Sequence, residues 1–210
     1  MIVTGEAKSG KSAFMYHLAE LWHLANPKKK IYAVNFPQDY RFLLPKYIEP
    51  ISKYMIDKVK DCMILIEESA IATPARDWHR TFNKLLAQLL AIHGHKKQRI
   101  IAVTQHLSLI DKSIIVMSKY LAVKPYSYFS YRMEREELRE IISKAWLIYS
   151  KLTEEFADFI DNANLDEYDL HSLLKKLDML KKTHIIIFGF DRPIVYAYDL
   201  PSFWNEQLSH

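Results

Sequence analysis

A glycine-rich octet at residues 5–12 limits the possible folds of this 210-residue chain more than any other feature. It follows the pattern G-x-x-x-x-G-K-S, in which the glycines let the backbone curl until successive N–H groups face a phosphate. The lysine of such a loop reaches β- and γ-oxygens, and the serine hydroxyl completes the shell of a magnesium ion. The octet predicts a phosphate-binding loop (P-loop) for ATP and Mg²⁺, with contacts from Gly5, Glu6, Ala7, Lys8, Ser9, Gly10, Lys11, Ser12 and Ala13.

The residues on both sides of the octet supply the setting that a P-loop needs. Residues 1–4 can form a short strand, and the segment after the loop has apolar residues on one helical face before Asn26-Pro27 ends the helix. An octet of this kind also occurs by chance. Strand, loop and helix in succession favour nucleotide binding, and the helix directs its positive end at the anion.

The composition suits one α/β domain with a modest appendage. Half of the residues are hydrophobic, and the single cysteine, Cys62, excludes an internal disulfide. No run approaches the roughly 20 apolar residues that span a bilayer, and no secretory signal pattern opens the sequence. We therefore expect an intracellular protein without a transmembrane segment. The net charge of +4 comes with lysine clusters typical of solvated helix ends, so charge alone does not predict nucleic-acid binding.

Strand-like and helix-like segments alternate up to residue 124. Besides residues 1–4, short apolar runs typical of strands covered on both faces lie at 31–36, 63–66, 100–103 and 120–123. Helical patterns cover residues 51–60 and 73–93. This alternation predicts a P-loop core at 1–124 with a mostly parallel sheet, an α/β three-layer sandwich. Residues 125–210 are predicted to add two amphipathic helices and a β-hairpin that pack on the core.

Two carboxylates follow the third predicted strand. Glu67 would hold Mg²⁺ through water, and Glu68 would orient or deprotonate an attacking water. The alternative is a solvated junction between strand and loop. A small-molecule kinase has no need of a hydrolytic water, so Glu68 favours an ATPase. Gln105 follows the fourth predicted strand, at the edge where parallel α/β sheets bind their ligands. It could contact the γ-phosphate or the attacking water; the alternative is an ordinary amide side chain at the end of a strand.

Together these segments resemble the HerA/FtsK superfamily, most closely small Zot-like ATPases and the genome-packaging ATPases of archaeal viruses and plasmids. The likeness rests on residues 66–70, on the long helical segment that reaches His93-Gly94-His95, and on residues 104–111. Residues 199–209 resemble tails in the archaeal group more weakly. The resemblance covers residues 1–124 well and the remainder loosely.

The resemblance implies a RecA/FtsK-like motor that translocates double-stranded DNA. It also implies a homo-oligomer that forms a hexameric ring in its working state, with a capsid or membrane protein as a further partner. It implies a five-stranded core whose glutamine strand lies between the P-loop strand and the acidic strand. It also assigns Arg99 as an arginine finger offered to the neighbouring subunit's nucleotide. The chain departs from the family in having Glu67 where aspartate is usual. The lack of a membrane segment favours the packaging branch, in the host cytoplasm or with a virion.

Three functions stay open at this stage: a DNA-packaging motor, a Zot-like assembly or secretion ATPase that acts on protein, and a small-molecule kinase or nucleotide switch. Other features are given simpler interpretations. His93 and His95 have no acidic or cysteine cluster nearby for zinc. The aromatic residues of 126–131 are interpreted as a strand or packed loop rather than a base-stacking surface. DNA phosphate contacts in a pore are assigned to Arg76, Arg80 and Lys112.

Overall fold

The computed structural model describes residues 1–34, 36–67, 78–162, 179 and 182–208. Within these residues eight strands form one sheet. The strands are β1 (Ile2–Thr4), β2 (Ile31–Val34), β3 (Ile48–Ile51), β4 (Met63–Glu67), β5 (Arg99–Thr104), β6 (Leu121–Val123), β7 (His184–Phe188) and β8 (Ile194–Ala197). The α-helices of the described residues are α1 (Lys11–Ala25), α2 (Trp78–Lys96), α3 (Lys112–Met117), α4 (Tyr128–Met133) and α5 (Glu136–Asn162).

The strands lie in the order β3-β2-β4-β5-β1-β6-β7-β8. The pairs from β3 to β6 are parallel, and β7 and β8 join antiparallel as a hairpin. Side chains alternate between two hydrophobic cores: Ile64 and Ile66 of β4 face the α2 and α5 side, whereas Met63 and Leu65 face the α1 side. Burial on both faces explains the unbroken apolar runs. The predicted three-layer α/β sandwich with a mostly parallel sheet is confirmed.

Strand β3 was not predicted from the sequence. It pairs with β2 alone at the edge of the sheet, and it contains Glu49 and Pro50. Proline lacks an N–H group, so it is tolerated on an edge strand but not in the middle of a sheet. The segment 51–60, predicted to be helical, contains a 3₁₀-helix at Lys53–Lys58.

The interpretation of residues 126–131 as a strand or packed loop is wrong, because Tyr128–Met133 is helical. Ser127 is the N-cap of α4, and its hydroxyl accepts a hydrogen bond from the N–H of Ser130. A serine in this position satisfies a backbone donor that the helix itself leaves open, which favours helix formation. The predicted amphipathic helix beginning near Leu138 is α5; the helix start predicted at 73 and the one predicted at 170–180 fall outside the described residues.

The C-terminal hairpin extends the sheet of the P-loop core. Strand β7 pairs with β6, and Tyr198, just after β8, is buried in the core on the α1 side. Phe203 packs edge-on against Tyr16 of α1, with ring centroids 5.8 Å apart. Along the described residues, none of the helices combines the length and apolar character needed to cross a membrane.

Candidate nucleotide-binding site

The octet forms a tight turn between β1 and α1. Gly5, Lys8 and Gly10 all have positive φ angles, of 146°, 61° and 88°. A Cβ atom on Gly5 would lie 2.4 Å from Cβ of Lys124, and one on Gly10 would lie 2.8 Å from the carbonyl oxygen of Lys182. Both positions therefore need glycine for backbone conformation and for space. The turn has the shape that directs successive N–H groups toward an anion.

The two side chains predicted to touch phosphate and metal lie inside this turn. Lys11 and Ser12 begin α1 and are only 7% and 9% exposed. The Lys11 ammonium donates a hydrogen bond of 2.6 Å to the Glu6 carbonyl, so the side chain curls back over the loop. The loop is closed on its other side, where the Glu6 N–H donates to the Pro125 carbonyl. In a P-loop, the lysine at this position is the one that reaches the β- and γ-phosphates.

The register of the sheet brings other predicted site residues to the same edge. Thr4, the last residue of β1, lies opposite Thr104, the last residue of β5. Gln105 is the next residue after Thr104. Glu67, the last residue of β4, lies opposite Val103. Strand β5 lies between β1 and β4, the placement that the resemblance implied. Gln105 is exposed at this edge.

Glu67 is partly buried at the tip of β4. The pKa of Tyr16 on α1 is raised mainly by burial and secondly by the negative charge of Glu67. The Glu67 carboxylate therefore lies on the α1 side of the sheet edge. The Ser12 hydroxyl and the Glu67 carboxylate are hard oxygen donors of the kind that Mg²⁺ prefers. Glu68 lies outside the described residues. Among the residues that the structure describes, no three His, Cys, Asp or Glu side chains form a metal-binding group.

Of the predicted cationic residues, the structure describes the side chains of Arg99 and Lys112. Arg99 is exposed at the first residue of β5, and the six-residue strand puts it about 20 Å from Gln105. It therefore cannot serve the nucleotide of its own subunit. The Lys112 ammonium forms a surface ion pair of 3.0 Å with Glu137. Arg76 and the side chain of Arg80 lie outside what the structure describes.

A buried lysine behind the P-loop was missed by the sequence reasoning. Lys124 follows β6 directly, and its ammonium donates to the carbonyl oxygens of Lys182 and His184, both at 2.7 Å. It also lies 4.8 Å from the ring centroid of Tyr198. Burial, with a smaller contribution from the charge of Lys11, lowers the pKa of Lys124 to about 6. Its place at a strand end next to β1 was the signal that could have singled it out.

A buried carboxylate behind Gln105 was also missed. Glu134 is 1% exposed and accepts hydrogen bonds from the N–H groups of Leu107 and Ser108, at 3.0 and 2.7 Å. The Tyr126 hydroxyl lies 3.3 Å from the same carboxylate and 2.5 Å from the hydroxyl of Thr4. A phenol has one proton and a carboxylate is the stronger acceptor, so Thr4 donates to Tyr126 and Tyr126 to Glu134. The pKa of Tyr126 is raised mainly by burial and secondly by the negative charge of Glu134.

Comparison with known proteins places this site on a known fold. No protein-family model and no curated protein matches the chain in sequence. The genome-packaging NTPase B204 of Sulfolobus turreted icosahedral virus 2 matches in structure: its complex with ATP-gammaS gives a TM-score of 0.52 at 13% identity over 95% of both chains, and its complex with sulfate gives 0.53 at 14% over 95% of this chain and 96% of that one.

A second similar structure is that of EssC (ATPases 2 and 3) from Geobacillus thermodenitrificans. The TM-score is 0.56 at 12% identity, and the match covers 96% of this chain but only 39% of that one. At such identities the likeness concerns the fold. The chain therefore has the fold of P-loop ATPases, as its resemblance to the HerA/FtsK superfamily implied.

Proposed function

We propose that this protein is a Mg²⁺-dependent ATPase that works as a molecular motor. One observation carries the proposal: a complete P-loop at the tip of β1 lies in register with Gln105 after β5 and close to Glu67 at the tip of β4. Parallel α/β sheets bind their ligands at this edge. The likeness to B204, an NTPase whose structures include ATP-gammaS and AMPPCP complexes, supports ATP as the substrate.

Each residue has a defined task in the proposed reaction. Lys11 neutralises charge on the β- and γ-phosphates, and Glu68 orients or deprotonates the attacking water. Gln105 contacts the γ-phosphate or that water. Ser12 and Glu67 hold the metal, which when bound supplies further charge neutralisation at the phosphate oxygens. Arg99 stabilises the transition state in the neighbouring subunit of a homo-oligomeric, hexameric ring.

We propose double-stranded DNA as the translocated substrate, with packaging of a viral or plasmid genome as the purpose. The support is the likeness to B204, which spans nearly the whole of both chains. The likeness to EssC favours the alternative, an assembly or secretion ATPase that acts on protein with a capsid or membrane partner. A small-molecule kinase is the remaining alternative, and it predicts activity that survives Glu68→Gln.

The test is steady-state ATP hydrolysis with and without duplex DNA across a salt series, with particle mass measured in the same samples. We expect DNA to accelerate hydrolysis, and its affinity to fall steeply with salt because phosphate contacts release counterions. The Lys11→Ala variant should lose hydrolysis and serves as the background control. Hydrolysis that is indifferent to DNA at every salt concentration would reject the DNA motor and leave the protein-directed alternative.

The role of Arg99 has its own test, based on mixed subunits. An Arg99→Ala subunit should fail only at its neighbour's nucleotide, whereas a Lys11→Ala subunit fails at its own. Mixing the two inactive variants should therefore restore part of the activity. Mixtures as inactive as either variant alone would remove Arg99 from this role.

A further inference from the structure

The loop that begins with Gln105 is held in place by side chains from other elements. It covers residues 105–111, between β5 and α3, and contains a 3₁₀-helix at Leu107–Leu109. Leu107 and Ile110 anchor it in the core on the α2 and α5 side. We propose that Asn83 of α2 is a positioning residue for Gln105, and that it acts by binding the backbone of this loop. The proposal rests on the function proposed above and adds a residue that acts through Gln105.

The Asn83 side chain forms two hydrogen bonds with backbone groups of the loop. Its NH₂ group donates to the Leu109 carbonyl at 2.9 Å, and its oxygen accepts from the Asp111 N–H at 3.0 Å. A side-chain amide has a donor and an acceptor on one planar group, which matches a C=O and an N–H that lie two residues apart. These partners are 26 and 28 residues away in the sequence. Asn83 therefore fixes the far end of the loop to α2.

The turn between α4 and α5 holds the same loop from another direction. Glu134 accepts from two of its backbone N–H groups. The neighbouring Arg135 donates to the carbonyl oxygen of Ser108, and to that of Ile110 at 3.0 Å. With Asn83 on α2 and these two residues before and in α5, the loop is bonded from two sides. Such bonds restrict the backbone that starts at the end of β5.

The position of Asn83 connects two parts of the proposed catalytic site. Helix α2 is the first described element after β4, which ends with Glu67, and the loop follows β5. Asn83 thus bonds the helix after the acidic strand to the loop of Gln105. Asparagine is a weaker helix former than leucine or alanine, so its two bonds, rather than helix formation, explain its place within α2. Catalytic groups that must meet at one phosphate lose rate steeply when misplaced by about 1 Å.

The experiment is a double-mutant cycle on the full chain with Asn83→Leu, Gln105→Ala and the two combined. The kcat of ATP hydrolysis is measured under the conditions of highest wild-type activity, and ATP affinity by calorimetry. We expect Asn83→Leu to lower kcat about tenfold and to leave ATP affinity within about twofold, because the P-loop keeps its own contacts. In the Gln105→Ala background, Asn83→Leu should lower kcat by less than about twofold, since no glutamine remains to be positioned.

Gln88→Leu is the matched control, because it makes the same chemical change at an exposed position of α2. It should leave kcat and ATP affinity within about twofold of the wild-type values. If Asn83→Leu does not fold, Asn83→Asp replaces it in the cycle. That variant keeps the shape and the acceptor for the Asp111 N–H but cannot donate to the Leu109 carbonyl at neutral pH. The same non-additive result is expected.

The outcomes separate this proposal from the one it rests on. An Asn83→Leu variant with wild-type kcat, or one that lowers kcat by the same factor with and without Gln105, overturns the positioning role. A Gln105→Ala variant with wild-type kcat also overturns it, while the ATPase assignment stands. A wild-type chain that hydrolyses ATP no faster than Lys11→Ala rejects the proposed function itself, and the role of Asn83 is rejected with it.

Discussion

Two ionisable side chains are buried behind the candidate nucleotide site, one on each side of β1, and they are held in opposite ways. Lys124 follows β6 and donates to the backbone carbonyls of Lys182 and His184. Glu134 lies before α5 and accepts from the backbone N–H groups of Leu107 and Ser108. The Lys124 amino group thus joins the P-loop to the start of the C-terminal hairpin. The Glu134 carboxylate joins the loop after Gln105 to the helices α4 and α5.

The two networks show how residues after 123 contact two parts of the candidate site, the P-loop and the loop that follows β5. Gly5 packs directly on the Lys124 side chain, and the Tyr198 hydroxyl lies 3.0 Å from the Gly10 carbonyl, so the hairpin fixes the P-loop turn. Tyr126 connects Glu134 to Thr4 at the end of β1. The Glu134 network therefore touches both the P-loop strand and the loop of Gln105, whereas the Lys124 network touches the P-loop alone. The Glu134 network is thus the one that connects the end of β1 to the loop that follows Gln105.

The largest effect is expected from Gly5→Ala, which disturbs the packing of the P-loop against Lys124. The added Cβ would lie 2.4 Å from Cβ of Lys124, at a φ of 146°. We expect a loss of about 3 kcal/mol in unfolding free energy from overpacking and backbone strain, with ATP binding abolished. Gly94→Ala is the control, because nothing lies within 4 Å of its Cβ and alanine favours a helix. Thermal unfolding and ATP titration test both; equal melting temperatures for the two variants would contradict the prediction.

Glu134→Gln breaks the other network. The amide can still accept one of the two backbone N–H groups but presents its own NH₂ to the other, so we expect a loss of about 2 kcal/mol. ATP affinity should change little and kcat should fall at least tenfold, because the loop of Gln105 loses its support. Glu137→Gln, which removes only an exposed ion pair with Lys112, should change neither quantity. A kcat equal to wild type would exclude a role for this network in catalysis.

A pH series sharpens the difference between the networks. Burial lowers the pKa of Lys124 to about 6 from its ordinary 10.5. Between these two pH values, Lys124 therefore carries a proton in the unfolded chain but not in the folded chain. Stability from this group therefore rises with pH across that window, by up to about 1.4 kcal/mol per pH unit, and is independent of pH below it. Lys124→Met should remove this slope. The measurement is denaturant unfolding of both proteins at pH 6, 7 and 8, and parallel curves would refute the assignment.

Tyr126→Phe should have the smallest effect. It removes one hydroxyl from between Thr4 and Glu134, at an expected cost of about 1 kcal/mol. Glu134 keeps its two backbone donors, so kcat should fall less than in Glu134→Gln. Tyr149→Phe, which removes a hydroxyl from the α5 side near His184, is the matched control for stability. A kcat as low as that of Glu134→Gln would mean that Tyr126, rather than the carboxylate, carries the coupling.

Local patterns were sufficient to predict much of the fold. The P-loop octet is a contiguous signal, because the glycines and the lysine act within one turn of backbone. The apolar run at 63–66 is equally local, since a parallel strand covered on both faces needs no polar side chain. Strand β3 could not be found in this way: it pairs with a single neighbour and includes Pro50, so neither its composition nor its periodicity resembles that of a buried strand.

The supporting networks could not be predicted, because their partners are far apart in the sequence. The carbonyl groups that hold Lys124 lie 58 and 60 residues away, and the backbone N–H groups that hold Glu134 lie 27 and 26 residues away. A lone lysine or glutamate is normally exposed. Only the folded chain shows that these two are buried. The roles of Glu68, Gln105 and Arg99 remain predictions for the experiments above.

Strand β5 has a consequence for how neighbouring subunits would communicate. It begins with Arg99 and ends immediately before Gln105, so one rigid rod of six residues separates the two groups. With Arg99 acting on the adjacent protomer, each end of that rod would touch a different ATP molecule. In the proposed ring, this one strand, fixed in register between β1 and β4, would therefore connect the nucleotide sites of two neighbouring protomers.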